Sequence, residues 1–105
     1  TGWSNLGVVV GATHLDDAIA ARAALPNALF LIPGYGAQGG SSDDAVVTFV
    51  NRGHGPEGGL INSSRGLLFP DAGGQAANAA AWEAAIDAAL DQASDDLGQA
   101  LARKR

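Results

Sequence analysis

The apolar positions of this chain fall into short unbroken runs and longer periodic stretches, and that difference separates strands from helices. The run GVVVG (7–11) is β-branched and bounded by glycines, which predicts a strand buried on both faces, as in a parallel sheet. Thr13 follows as a candidate N-cap, with Asp16 and Asp17 suited to the positive end of a helix. Leu15, Ile19 and the neighbouring alanines predict a helical stripe to about Leu25, closed by Pro26 and Asn27. ALFLIP (28–33) is a second run of strand length, and GYGAQGG (34–40) after it is a glycine loop.

Ser42 is the candidate cap of the next element, with Asp43 and Asp44 in its first turn and residues 45–50 as its body. The β-branched and aromatic side chains of Val46, Val47, Phe49 and Val50 favour a strand. The cap, and the closing Arg52-Gly53, favour a helix, which is the expectation adopted. GLIN (59–62) predicts a third short strand, ending in the polar loop SSRG (63–66). From about Ala76 a long helix runs to the end of the chain. Trp82, Ile86, Leu90, Ala93, Leu97 and Leu101 are spaced 4, 4, 3, 4 and 4 residues apart, one apolar stripe at helical period. The stripe has few complementary flanking charges, so a helix packed on a sheet is expected in place of a coiled-coil seam.

Strand and helix thus alternate, which predicts an α/β fold with parallel strands joined by right-handed crossovers. Three parallel strands cannot close on themselves. They leave two open edges and one uncovered apolar face, the pattern of a segment of a larger sheet.

Composition narrows the function classes. A formal net charge of −5 argues against a nucleic-acid binder working through a broad basic surface. There are no cysteines, hence no disulfide, thiolate nucleophile or cysteine metal site. No apolar run approaches membrane-spanning length, and the opening residues are not those of a secretory signal. No membrane association and a cytoplasmic location are the expectations. Arg103, Lys104 and Arg105 end the chain as a cation-rich helix terminus, so a cation needed inside the fold must be Arg22, Arg52 or Arg65. His14 and His54 are read as solvated, and, being far apart without a carboxylate pattern, they do not compose a metal site. Asp91, Asp95 and Asp96 are read as a solvated helix face.

In a βα-repeat, strand C-termini and helix N-termini share one rim, and the loops 34–40 and 63–66 both fall there. Glycines let a backbone approach an anion closely, Gln38 adds an amide donor, and Arg65 adds a planar fork that matches a phosphate. Phosphate sites of (β/α)₈ barrels lie at the loops after strands seven and eight, where these two loops would fall if the strands were the last three of such a barrel. The glycine loop also fits the dinucleotide fingerprint Gly34-x-Gly36-x-x-Gly39. Its context speaks against that reading: the loop follows the second strand, a proline precedes it, and only Glu57 offers an acid near the required distance.

Three motifs, VVVGAT (8–13), FLIPGYGAQGG (30–40) and INSSRG (61–66), together resemble the last three strand motifs of orotidine 5′-phosphate decarboxylase. The NSSRG form is similar to that of a bacterial subgroup, and the resemblance runs from about Gly7 into the terminal helix. It implies that residues 1–105 are the C-terminal three βα units, strands six to eight with their helices, of a (β/α)₈ TIM barrel. The family's enzyme is a carboxy-lyase of pyrimidine biosynthesis. It is usually a homodimer, and it converts orotidine 5′-monophosphate to uridine 5′-monophosphate and CO₂ without metal or organic cofactor. By the same resemblance Gln38 and Arg65 grip the substrate phosphate, helped by backbone N–H groups near Gly36, Ser64 and Arg65. The loop from Pro33 through Gly34, Gly39 and Gly40 to about Ser42 would close over the nucleotide.

Two departures accompany the resemblance. The family's reactive Asp/Lys array, with its DxKxxD core, has no counterpart here, so no catalytic residue is assigned and the isolated chain is expected to be inactive. Tyr35 stands where the family usually has a smaller aliphatic residue. The leading expectation is therefore a truncated product, a proteolytic piece or one chain of a split enzyme, whose partner is the N-terminal part of the barrel. The alternatives are a stand-alone phosphate- or nucleotide-binding module completed by oligomerisation, and a related barrel acting on sugar-acid phosphates.

Overall fold

A computed structural model describes residues 2–36, 40–68, 71–74 and 76–104, with the backbone alone described at Arg65, Asp71 and Ala72. Strand β1 (Gly7–Val9) leads to helix α1 (Leu15–Ala24) and strand β2 (Leu29–Ile32). After them come a single helical turn α2 (Ser42–Ala45), the two-residue strands β3 (Val50–Asn51) and β4 (Pro56–Glu57), and strand β5 (Gly59–Ile61). Two short helices, α3 (Ser64–Leu68) and α4 (Asp71–Gly74), precede the terminal helix α5 (Ala79–Lys104).

The three long apolar runs form one parallel sheet in the order β1-β2-β5. Its register pairs Val9 with Leu31 and Leu31 with Leu60, and, one residue away, Val8 with Phe30 and Phe30 with Gly59. Because successive side chains point to opposite faces, this register sorts the sheet into two unlike surfaces. Phe30 and Ile32 face a core shared with Ala45, Val46, Phe49 and Ala100, against which Leu97 and Leu101 of α5 pack. The other row, Val9, Leu31 and Leu60, is 68%, 41% and 65% exposed. The run 7–11 predicts a strand buried on both faces, but β1 is covered on one only, because no described element covers the second. One uncovered apolar face is what a three-stranded segment is expected to leave. The outer edges of β1 and β5 carry no further described strand.

Three helical expectations are corrected. His14, not Thr13, occupies the N-cap position of α1 and makes no side-chain cap bond, while Thr13 Oγ1 lies 3.1 Å from His14 Nδ1. The inward face of α1 carries Ala18 and Arg22, and Ile19 is exposed, so the period is helical but its phase is rotated. The element after the glycine loop is not a helix to Val50. Ser41 caps it through a capping box in which Ser41 Oγ accepts from Asp44 N at 3.1 Å and Asp44 Oδ2 accepts from Ser41 N at 3.4 Å. After one turn the β-branched run prevails, and Val50–Asn51 pairs antiparallel with Pro56–Glu57.

The terminal helix forms as its period predicts, with Asn78 at its start: Asn78 Oδ1 accepts from Ala81 N at 2.9 Å. Only its C-terminal part reaches the sheet core, so Trp82 and Leu90 of the expected stripe are 44% and 50% exposed. Its last turn is tied to α2, with Arg103 2.9 Å from Asp43 and Lys104 Nζ donating to the Val47 carbonyl at 3.0 Å.

Candidate functional site

The two polar loops meet at the C-terminal rim of the sheet. β2 runs out through Pro33 into the glycine loop, and the neck of that loop is closed by its own backbone. Gly36 N donates to Gly40 O at 2.9 Å and Gly40 N to Gly34 O at 2.8 Å. Gly34 has a φ of +98°, and a Cβ on Gly40 would lie 2.5 Å from the Gly34 carbonyl and 2.9 Å from the Ala12 side chain. Glycine is therefore required at both ends of the neck, by conformation at Gly34 and by space at Gly40. Ala12, 1% exposed, is the floor beneath them, which explains the small residue in GVVVGAT. Ala12 N donates to the Pro33 carbonyl at 2.8 Å and fixes the neck to the end of β1.

β5 delivers the second loop. Asn62 N donates to Ile32 O at 3.1 Å, holding the exit of β5 beside that of β2. Ser63 Oγ then donates to the Tyr35 carbonyl at 3.2 Å, so the two loops touch. Ser64 is exposed and opens α3, its hydroxyl donating to Asn62 Oδ1 at 3.2 Å. Arg65 is the second residue of that helix, so its backbone stands on the same rim as the glycine loop. Gln38 and Gly39 lie outside the described residues, as does the side chain of Arg65. Of the expected site, the structure thus brings together Pro33, Gly34, Gly36, Gly40, Ser64 and the Arg65 backbone.

The other two body arginines are committed elsewhere. Arg22, 8% exposed, donates to the carbonyls of Thr48 at 2.8 Å, Leu25 at 3.1 Å, Pro26 at 3.4 Å, Ala28 at 2.7 Å and Gly58 at 3.1 Å. Its guanidinium lies 3.8 Å from the Phe30 ring centroid and 5.6 Å from that of Trp3. Burial, and secondarily the charge of Arg52, pushes its pKa down from the ordinary arginine value. Arg52 lies 3.8 Å from the Trp3 ring centroid and donates to Gly2 O, Pro26 O and Asn27 Oδ1 at 3.1, 2.7 and 2.6 Å. Both sit where β2 and β5 begin, at the rim opposite the glycine loop.

Sequence reasoning missed one contact of the loop. Tyr35 Oη donates to Asp96 Oδ2 of α5 at 2.7 Å. Asp91 and Asp95 are exposed as expected, but half-buried Asp96 is not part of a purely solvated face. A signal was available: Asp96 lies three residues after Ala93 and four before Ala100, on the inward stripe of the helix. Desolvation, and then the bond to Asp96 and its charge, pushes the Tyr35 phenol up to about 12.

His14 and His54 are exposed. His14 lines an open groove of about 390 Å³ beside β1 with Val9, Val10, Gly11, Asp17, Ala18 and Ala21. Among the described residues no group of three or more His, Asp or Glu side chains could hold a metal ion. No described helix is long and apolar enough to cross a membrane.

Comparison with known proteins bears on what such a rim does. No protein-family model matches the chain. Orotidine 5′-phosphate decarboxylase of Clostridium tetani is 51% identical over 67 residues, 64% of this chain and 22% of that protein. The solved OMP decarboxylase of Leishmania donovani superposes with a TM-score of 0.64 at 30% identity, covering 92% of this chain and 32% of that one. The orotidine 5′-monophosphate decarboxylase of Sulfolobus solfataricus gives 0.58 at 25% identity, over 90% of this chain and 35% of that one. The α/β architecture with its parallel sheet is therefore that of part of these enzymes' barrel, and the chain spans 22% of the length of the curated relatives it matches first.

Proposed function

We propose that this chain is the phosphate-gripping, C-terminal part of an orotidine 5′-phosphate decarboxylase, its strands β1, β2 and β5 serving as the sixth, seventh and eighth of a (β/α)₈ barrel. The completed enzyme would convert orotidine 5′-monophosphate to uridine 5′-monophosphate and CO₂. In it Gln38 and Arg65 hold the substrate phosphate and Ser64 lends its backbone N–H beside Arg65. The N–H of Gly36, expected to help hold the phosphate, is donated to Gly40 O at 2.9 Å, so Gly36 instead shapes the glycine loop that folds over the nucleotide. On this reading the chain is of the bacterial subgroup whose last motif has the NSSRG form it resembles.

The observation that carries this reading is the meeting of the two loops through Ser63 Oγ and the Tyr35 carbonyl at 3.2 Å, with Arg65 on the adjoining turn. Arg22 and Arg52 are engaged at the opposite rim, so Arg65 is the body arginine that the fold delivers to this one. A charge-assisted hydrogen bond from a guanidinium to a phosphate contributes about 1.5–3 kcal/mol, and a bidentate fork fixes the pose as well. Binding energy at a group remote from the reacting carbon can then drive loop closure and support chemistry elsewhere on the substrate.

The chemistry itself belongs to residues this chain does not carry, and the reading assigns it no catalytic residue. Its partner is a polypeptide segment bearing the preceding five strands. That segment would pair with the open edges of β1 and β5 and cover the row Val9, Leu31 and Leu60. A homodimeric, cytoplasmic enzyme without metal or organic cofactor follows from the same resemblance.

The test is complementation. The purified chain alone should show no decarboxylation, and activity should appear on adding a polypeptide with the first five strands. Turnover by the chain alone would overturn the reading. A symmetric homo-oligomer in solution scattering that binds uridine 5′-monophosphate, yet gains no activity from that partner, would favour a self-completing binding module.

A further inference from the structure

The base of the glycine loop is fixed to the end of β1 by the bond from Ala12 N to Pro33 O, and the residues beyond it have further anchors. Its neck is closed by backbone bonds between Gly34, Gly36 and Gly40, but these hold the loop only to itself. Ser63 Oγ ties it to the neighbouring loop through the Tyr35 carbonyl at 3.2 Å. The side chain of the same residue reaches the other way, and Tyr35 Oη donates to Asp96 Oδ2 at 2.7 Å. Tyr35 is thus held at both ends, by β5's loop through its carbonyl and by α5 through its phenol. Among the described residues, the bond from Tyr35 to Asp96 is the side-chain bond that joins residues 34–40 to helix α5. We propose that Tyr35 and Asp96 form a latch that sets the position of the glycine loop against the Ser63–Arg65 turn, making helix α5 a positioning element of the anion site.

The geometry gives the latch direction. Asp96 lies between Ala93 and Ala100 on the face of α5 that turns toward the sheet, and Leu97 beside it packs on the core. The helix is therefore fixed relative to β2 by apolar packing, and its carboxylate is a fixed acceptor. A hydrogen bond to a charged acceptor at a half-buried site is stronger than a neutral one. It orders Tyr35, whose carbonyl meets Ser63 of the neighbouring loop. Tyr35 and Asp96 are positioning residues, since neither need touch the phosphate.

The proposal rests on the anion site of the preceding reading, and its test separates the two. Tyr35→Phe, Asp96→Ala and Asp96→Asn are made in the full chain. Amide hydrogen exchange at Gly36 and Gly40 is measured by NMR, together with affinity for uridine 5′-monophosphate. Tyr35→Phe and Asp96→Ala should each speed exchange at both glycines and weaken nucleotide binding about tenfold. The double variant should be no worse than either single one. Asp96→Asn keeps an acceptor oxygen and should restore most of the protection and affinity, which a loss of general stability would not. Unchanged exchange in Tyr35→Phe overturns the latch whether or not nucleotide binds. Unchanged affinity in Tyr35→Phe, where Arg65→Ala weakens binding, overturns its positioning role and leaves the site intact. An Arg65→Ala variant that binds as the parent does overturns the anion site instead, and the exchange data then decide the latch alone.

Discussion

On the proposed reading, the two rims of the sheet use arginine in opposite ways. At the rim where β2 and β5 begin, Arg22 and Arg52 are surrounded by backbone carbonyls and by the rings of Trp3 and Phe30. Their charge is met by carbonyl dipoles of the protein itself, with five acceptors on Arg22 and three on Arg52. At the rim where those strands end, the backbone is glycine-rich, Ser63 Oγ joins the two loops through the Tyr35 carbonyl, and the Tyr35 phenol ties the glycine loop to Asp96 of α5. The difference teaches where a cation is structural and where it is available. A guanidinium in a low-dielectric site must be saturated by acceptors, so a saturated arginine marks a keystone, and a binding arginine must stand where the backbone does not already supply its partners.

The sharpest way to break this comparison is Arg22→Ala. It removes the guanidinium donors to the carbonyls of Thr48 and Ala28, while Gly58 O keeps its bond from Phe30 N, and each buried acceptor left unpaired costs about 1–3 kcal/mol. Thermal or urea unfolding followed by circular dichroism should show a loss of about 3 kcal/mol or more, which Arg22→Lys does not recover because an ammonium lacks the fork. Arg65→Ala should do the reverse. Uridine 5′-monophosphate affinity by calorimetry should fall by about 1.5–3 kcal/mol, while the unfolding midpoint stays near that of the parent chain. If Arg65→Ala unfolds the chain, or Arg22→Ala spares it, the division of labour between rims fails.

A smaller effect sharpens the description of the loop rim. Tyr35 is the one tyrosine of the chain, so tyrosinate absorbance reports it alone. Its folded pKa is raised to about 12, above the unfolded value of about 10. The folded state therefore holds the phenol proton more tightly. The stability this contributes is fully present below about pH 10 and is lost as pH rises toward 12. The titration midpoint should drop toward the ordinary value in Asp96→Ala. The smallest effect is expected at Arg103→Ala. The pair with Asp43 has side chains 53% and 65% exposed, so its removal should change unfolding by no more than about 0.5 kcal/mol and less still in high salt.

Much of this architecture was readable before any coordinates. The runs 7–11, 28–33 and 59–62 became the three parallel strands, shortened at their ends, and the 3.6-residue period after Ala76 became α5. The segment 42–50 was misread because cap and propensity pointed different ways. The capping box at Ser41 wins for one turn, and the β-branched residues after it then pair with Pro56–Glu57. At the candidate site, the glycine spacing and the Ser-Ser-Arg-Gly run located the rim. Asp96 was overlooked because its partner lies 61 residues away, and a helix period alone does not say what the inward face meets.

What the sequence determined by itself is local and repetitive. Unbroken β-branched runs make strands, a 3.6-residue period makes a helix, and glycines at 34 and 40 permit the tight neck that later residues need. Only the tertiary structure decided which of three chemically identical arginines became structural. It did so because Arg22 and Arg52 acquire their acceptors from segments far apart in the chain, at Thr48, Gly58 and Gly2, and such acceptors exist only once the sheet has formed.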